Sequence, residues 1–385
     1  MACRPVCRTL REAVDADDLM RTIGAAYPSR VARPDLAAVE ELRAAAAIEL
    51  PAQTIVVVGT NGKTSASVYL GRLLERAGKR PGVTISPHLR RWGERVLIDG
   101  GAVADDDLAA AVADLHAVAA HVPRRDGLRF FDLVTLAAAR LFAAAEVDAA
   151  VFEAGIGGRL DATRTLAATT VVLTGIGLDH TELLGDTEEA ILRDKLGVAP
   201  RGARLVLPEL TPGLAAVVRE VATAQELELL VVQPAADWRL TAVRLASTAL
   251  GVEGPIDLDV PGRLERHVVD GVAVVLDAAH NAQGWSALAD RLDEPFVAVV
   301  SIGADRSAED LRPALARAVG VFATTGWAER SRPAGELAAA IGAEAVDDPV
   351  AATQLALERA RATGLPLVVF GSTYLLRHAY AALGL

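Results

Sequence analysis

Short apolar, β-branched runs at 54–58, 82–85, 149–152, 170–174 and 205–207 alternate with stretches whose apolar residues recur at helical spacing, at 65–77, 105–120, 133–145 and 187–196. A short apolar run bounded by turn residues reads as a buried strand, and a 3.6-residue period reads as an amphipathic helix. Regular alternation of the two predicts a mostly parallel sheet covered by helices on both faces. Residues 1–50 read as helical, most clearly at 38–50, and a further helix is expected at 241–250. The pair Pro261-Gly262 interrupts the pattern, and a second α/β series follows it. Its strands are expected at 272–276, 296–301, 321–324 and 366–370, with helices at 285–292, 308–319, 349–362 and 373–383. The chain is therefore expected to form two domains, 1–260 and 261–385, the second a smaller, Rossmann-like α/β unit.

Ligands of open parallel sheets sit beyond the carboxyl ends of the strands. That is where the polar residues of this chain gather. The run Val56-Val57-Val58 breaks into Gly59-Thr60-Asn61-Gly62-Lys63-Thr64-Ser65 before a helical pattern begins. Strand, glycine loop and helix start form a cradle for phosphate: backbone N–H groups turn toward oxygens, and the helix N-terminus favours negative charge. Lys63 would reach β- and γ-phosphates, and a neighbouring hydroxyl would approach Mg²⁺. The spacing departs from the general P-loop, because Val57 stands where that pattern has glycine, and an ordinary βα turn is the bland alternative. With the cradle, the fold class expected is α/β: a P-loop-type, mostly parallel sheet ATPase domain followed by the Rossmann-like domain.

Ser86, Glu153 and Asp179-His180 likewise follow apolar runs directly. A carboxylate that ends a buried strand is costly unless it is paired or metal-bound, although Glu153 could also cap the next turn. A lone His is more often structural than a ligand, and imidazole is an unusual partner for a hard cation. Ser86 alone reads as a turn residue before Pro87. Lys195, on the helical pattern 188–196, reads on its own as a solvated partner of an i,i+4 pair. Asp277 and His280 close the first strand of the second domain, where Asp277 or Asn281 could equally be a helix N-cap.

Composition narrows the classes. The 385 residues are 52% hydrophobic, 23% charged and 4% aromatic, which is globular rather than disordered. A net charge of −11 with no basic face argues against nucleic acid as a partner. Cys3 and Cys7, near the start and without His partners, make neither a disulfide scaffold nor a credible metal site. No run is apolar and long enough to span a membrane, and the Arg-containing start lacks the apolar segment of a signal peptide, so a cytoplasmic location is expected.

Further blocks fall in order along the chain: Phe152-Glu153-Ala154-Gly155-Ile156-Gly157-Gly158-Arg159-Leu160-Asp161-Ala162-Thr163, Gly177-Leu178-Asp179-His180-Thr181-Glu182, and Leu276-Asp277-Ala278-Ala279-His280-Asn281. Ser86-Pro87-His88-Leu89, Glu94-Arg95, Phe130-Phe131, Pro261-Gly262-Arg263-Leu264-Glu265 and Gly371-Ser372 accompany them. Together with the Gly-Thr-Asn-Gly-Lys loop, from about residue 34 onward, they resemble the Mur ligase superfamily, most closely its folate branch, dihydrofolate synthase/folylpolyglutamate synthase. The resemblance implies an ATP-dependent ligase that joins the amino group of L-glutamate to a small-molecule carboxylate, dihydropteroate or a folate, through an acyl phosphate. It implies ATP on Thr60, Asn61, Gly62, Lys63, Thr64, Ser65, Arg263, Asp277 and His280. It implies one or two Mg²⁺ ions on Ser86, Glu153, His180 and, if carbamylated, Lys195. Lys63, His180 and Lys195 carry the catalytic roles, and Phe130, Phe131, Asp132, Leu160, Asp161 and Ala162 face the substrate. A monomer, no nucleic acid and no membrane complete the expectation.

The chain also departs from the family pattern. The folate branch usually has Gly-Lys-Gly-Ser/Thr where Gly62-Lys63-Thr64-Ser65 stands. The interval 206–261 is short, the helix at 241–250 has no Asn at its start, and Phe130-Phe131-Asp132 replaces Phe-Phe-Glu. These departures keep open the same ligation on a non-folate acid, and less readily an ATP-binding protein without turnover.

Overall fold

A computed structural model describes residues 15–27, 35–327 and 329–385, and the chain divides into two compact units after Leu258. The expectations for Cys3, Cys7 and the first residues lie outside the described part.

In the first unit the described strands are β1 (Gln53–Val58), β2 (Pro81–Thr84), β3 (Val96–Ile98), β4 (Gly101–Ala102), β5 (Ala149–Glu153), β6 (Thr170–Leu173), β7 (Arg204–Pro208) and β8 (Glu228–Val232). They form one sheet in the order β4-β3-β2-β5-β1-β6-β7-β8. β2, β5, β1, β6, β7 and β8 run parallel, and β3 and β4 add an antiparallel edge. The central strands are apolar on both faces because helices cover both, and Val56, Val58, Phe152, Val171 and Leu173 join the main core cluster. The helix Lys63–Arg76 is buried along most of its length. It packs on the helix Trp238–Leu250, and Tyr69 Oη donates to the Leu258 carbonyl at 2.8 Å.

Register positions the site. Val57 lies opposite Glu153 and Val58 opposite Leu173, while Val83 of β2 lies opposite Val151 of β5. The chain therefore leaves β2, β5, β1 and β6 at one level on one edge of the sheet.

The second unit holds β9 (Glu265–Val269), β10 (Val272–Asp277), β11 (Phe296–Val300), β12 (Ala318–Ala323), β13 (Glu344–Ala345) and β14 (Leu367–Phe370). Their order is β13-β12-β11-β14-β10-β9, parallel except for β9. Trp285, Phe296 and Phe370 are buried at its core.

Two expected helices are corrected. The helix expected over 38–50 begins at Leu36 and ends at Ala45, because the chain turns there and Ala47 takes a left-handed conformation at φ 49°. The helix expected over 308–319 is a turn at Glu309–Leu311 and a short helix Arg312–Leu315, after which the chain enters β12.

Trp285 is fully buried, and its Nε1 donates to the Ala279 carbonyl at 3.0 Å. Trp285→Ala is expected to cost about 3–5 kcal/mol, read as a lowered urea midpoint for the C-terminal unit. A midpoint equal to that of the parent would contradict this packing.

Candidate active site

The loop that leaves β1 is shaped by close backbone approach. Gly59 has φ 150°, and a Cβ there would stand 1.9 Å from Thr174 Oγ1. Thr174 Oγ1 donates to the Asn61 carbonyl at 2.6 Å. Thr60 Oγ1 is buried and bridges the Gly177 carbonyl and N–H at 3.0 and 3.1 Å. The loop is thus sewn to the segment after β6, and Gly62, at φ 80°, opens the helix that begins with Lys63.

Lys63 and Lys195 converge. Lys63 Nζ donates to the carbonyls of Gly59 and Thr60 at 3.1 and 3.2 Å, and Lys195 Nζ donates to the Gly59 carbonyl at 2.9 Å. Lys195 is not the solvated residue its helix position suggested, for it is 4% exposed. Burial, and then the charge of Lys63, push its amine down to about 7, against the pull of Asp179, Asp194 and Asp161.

Beside the lysines, Thr64 Oγ1 donates to Glu153 Oε1 at 3.0 Å, and the Ser86 N–H donates to Glu153 Oε2 at 2.9 Å. Thr84 Oγ1 accepts from the Glu153 N–H at 2.9 Å. One buried carboxylate therefore ties together the ends of β1, β2 and β5. The hydroxyl of Ser65 is buried without a hydrogen-bond partner among the described residues. His180 follows β6 in a left-handed conformation, φ 50°, with its N–H on Asp179 Oδ1 at 2.9 Å and its ring 30% exposed. Among the described residues no three His, Cys, Asp or Glu side chains form a metal cluster. The donor set at Thr64, Glu153 and Ser86 is mixed and oxygen-rich, which suits a hard cation that also takes oxygens from a bound phosphate.

The residues expected on the substrate side lie around the segment after β5. The ring of Phe131 lies 3.0 Å from where a Cβ on Gly155 would be, whereas Phe130 turns away to meet Trp92 edge-on at 5.7 Å. Asp161 is 1% exposed and accepts from the Gly155 N–H and from Thr163, both N–H and hydroxyl. Burial raises its carboxyl above the usual range, opposed by the Thr163 bonds. Leu160 is partly exposed, and Ala162 starts a buried 3-10 turn. Asp132 is buried against Arg129.

In the second unit, Asp277 accepts from the N–H groups of Leu264 and Ala279 at 2.8 Å each. Burial raises its carboxyl, opposed by those bonds and by Arg263. The carboxylate thus ties the Pro-Gly-Arg segment to the end of β10. The His280 ring meets the Ala278 carbonyl at 3.0 Å, and Arg263 donates to the Gly262 carbonyl at 3.0 Å. Arg129, Asp194, Thr84 and Thr174 had not been singled out beforehand. Arg129 was findable as the i,i+3 partner of Asp132, and Asp194 as the acid beside Lys195.

A model of the Mur ligase glutamate ligase domain matches residues 262–373. Dihydrofolate synthase/folylpolyglutamate synthase of Escherichia coli is 32% identical over 269 residues, covering 61% of this chain and 63% of that protein. The chain is thus similar to members of the folate branch of the Mur ligase superfamily. Folylpolyglutamate synthase of Lacticaseibacillus casei is 38% identical over 167 residues, covering 43% of this chain and 39% of that protein. The aligned region thus spans less than two thirds of either relative. The Yersinia pestis bifunctional folylpolyglutamate synthase/dihydrofolate synthase with Mn, AMPPNP and L-glutamate bound superposes on 97% of this chain and all of its own, with TM-score 0.83 and 26% identity. The Mycobacterium tuberculosis folylpolyglutamate synthase complexed with ADP and AMPPCP has TM-score 0.84, covering 96% of this chain and 99% of its own at 24% identity, and so shares the fold.

The Lys195 shift has a testable sign. Its amine is neutral above about 7 and charged below, against 10.5 for an ordinary lysine. The unfolded chain binds the extra proton between these values, so stability rises with pH across that window, and burial of the charged amine is most costly below it. Spectra of the ¹³C-lysine-labelled protein should show one side chain titrating close to 7 that is absent in Lys195→Gln. No lysine titrating below about 9 would contradict the burial described.

Proposed function

We propose that the chain is an ATP-dependent carboxylate–amine ligase that joins L-glutamate to dihydropteroate or a folate. The observation that carries this reading is the convergence of Lys63, Lys195 and the Thr64–Glu153–Ser86 set at the ends of adjacent parallel strands. The names of the relatives and the nucleotide, Mn and glutamate in the Yersinia pestis neighbour support it.

A carboxylate is a poor acyl donor because its leaving group would be oxide. In the proposed first step a carboxylate oxygen attacks the γ-phosphorus of ATP, the bond to the bridging oxygen breaks, and ADP departs. The amine then attacks the acyl carbon, loses a proton, and phosphate leaves from the tetrahedral adduct. Lys63 and the helix start neutralise charge on the β- and γ-phosphates, and Ser65, with its unsatisfied hydroxyl, offers another donor. Thr64, Ser86, Glu153 and His180 would hold Mg²⁺, which when bound would neutralise phosphate charge. In the first unit Thr60, Asn61 and Gly62 form the nucleotide's cradle, and in the second unit Asp277 ties the Arg263 segment to the end of β10 beside His280. Lys195, neutral near physiological pH, would take up CO₂ and become an anion that could hold a second Mg²⁺. Phe131, Leu160, Asp161 and Ala162 line the acid's approach. We place the enzyme in the cytoplasm as a monomer.

A second reading, the same ligation on a non-folate acid, is favoured by Asp132, which stands where the folate branch has Glu and is occupied by Arg129.

ADP release with Mg-ATP and L-glutamate should require a pteroyl acid, and dihydropteroate compared with tetrahydrofolate separates synthase from polyglutamylase. Lys63→Ala should lower the acid-dependent rate by about 100-fold or more. Tight ATP binding with no ADP release on either acid would sink the folate assignment and favour the second reading.

A further inference from the structure

Between Gly155 and Asp161 the chain crosses from β5 to the buried turn at Ala162, and the proposed function makes this segment part of the acid's site. Its stretch from Gly158 to Leu160 is held from two sides by charged residues that the reaction does not consume. From one side Arg129, which precedes the helix Phe130–Ala144, donates from Nη2 to the Leu160 carbonyl at 2.7 Å. The same guanidinium grips Asp132, Nη2 to Oδ1 at 2.8 Å and Nε to Oδ2 at 3.1 Å, while the Arg129 N–H donates to Oδ2 at 2.7 Å. Asp132 is buried at 1% exposure, and Arg129 is partly buried at 15%. From the other side Asp194 Oδ1 accepts from the Gly158 N–H at 3.0 Å, and the Asp194 carbonyl accepts from the Arg159 N–H at 2.8 Å. A Cβ on Gly158 would stand 2.4 Å from the Lys195 carbonyl, so the segment lies flush on that helix. Around the clamped residues, Asp161 Oδ2 closes the loop by accepting from the Gly155 N–H at 3.0 Å.

We infer that Arg129 and Asp194 are positioning residues that clamp the 155–161 loop between the helix bearing Phe131 and the helix bearing Lys195. The role assigned to the loop rests on the proposed function, but the clamp itself does not. Asp132, expected at the substrate, acts through Arg129 instead: both its oxygens are occupied by that residue. A guanidinium is required because one planar fork serves a carboxylate and a carbonyl together, which a single ammonium does less well. The loop is thereby set before the acid arrives, so its ordering is not charged to binding.

The test compares Arg129→Met, Arg129→Lys and Asp194→Ala with the parent in full-length protein. Amide hydrogen exchange of the 154–162 region, read without substrate, should accelerate in Arg129→Met and Asp194→Ala and be partly restored in Arg129→Lys. In turnover with the pteroyl acid, KM for the acid should rise about tenfold in Arg129→Met while KM for ATP stays within about twofold. Unchanged exchange would overturn the clamp, and KM values for acid and ATP that rise together would overturn its link to the acid. If no pteroyl acid supports turnover, the proposed function fails while the exchange experiment still decides the clamp. Should Arg129→Met not fold, Arg129→Lys alone decides: parent-like exchange and KM contradict the inference.

Discussion

The carbonyl of Gly59 accepts hydrogen bonds from Lys63 and from Lys195, and much of the site follows from that meeting. Two amines on one oxygen repel each other if both are charged. Burial first, and the charge of Lys63 second, leave the Lys195 amine holding its proton weakly, near 7. Gly59 can serve both because its backbone is pressed against Thr174, and that approach tolerates no side chain.

The parallel register makes the meeting possible. β1 lies between β5 and β6, so a loop leaving β1 has Glu153 on one side and the Thr174–His180 segment on the other. Glu153 then draws in Ser86 from the end of β2. Ser86, Glu153, Lys195 and the adjacent pair Lys63-Thr64 lie apart in sequence, and the sheet supplies the proximity. The supporting polar groups (Thr60, Thr84 and Asp161, which are buried, and Thr174, which is half-buried) are bonded to backbone, so they fix the loops. Preorganised surroundings of this kind suit a reaction whose catalysis is mainly positioning and charge neutralisation.

Legibility in the sequence followed burial. The strands β1, β2, β5, β6 and β7 are short apolar runs, and each appeared within a residue or two of its expected place. β8 and β9 are edge strands with partly exposed, mixed patterns, and β3 and β4 are too short to carry a period; these went unread. The region 308–319 misled because an Ala-rich stretch with Pro313 has no periodicity that separates helix from turn and strand. Lys63, Glu153 and His180 were legible because polar residues at the ends of apolar runs stand out. The burial of Lys195 was not, since on an isolated helix pattern it looks solvated. Arg129 and Asp194 act only through partners that the fold brings near.

The central claim is that ATP activates a carboxylate by forming an acyl phosphate at this site. The most direct measurement supplies the pteroyl acid with ¹⁸O in its reacting carboxylate, together with Mg-ATP and L-glutamate, and follows the label by mass spectrometry. One ¹⁸O per turnover in the released phosphate is the predicted result. Amide product formed with unlabelled phosphate would contradict the account.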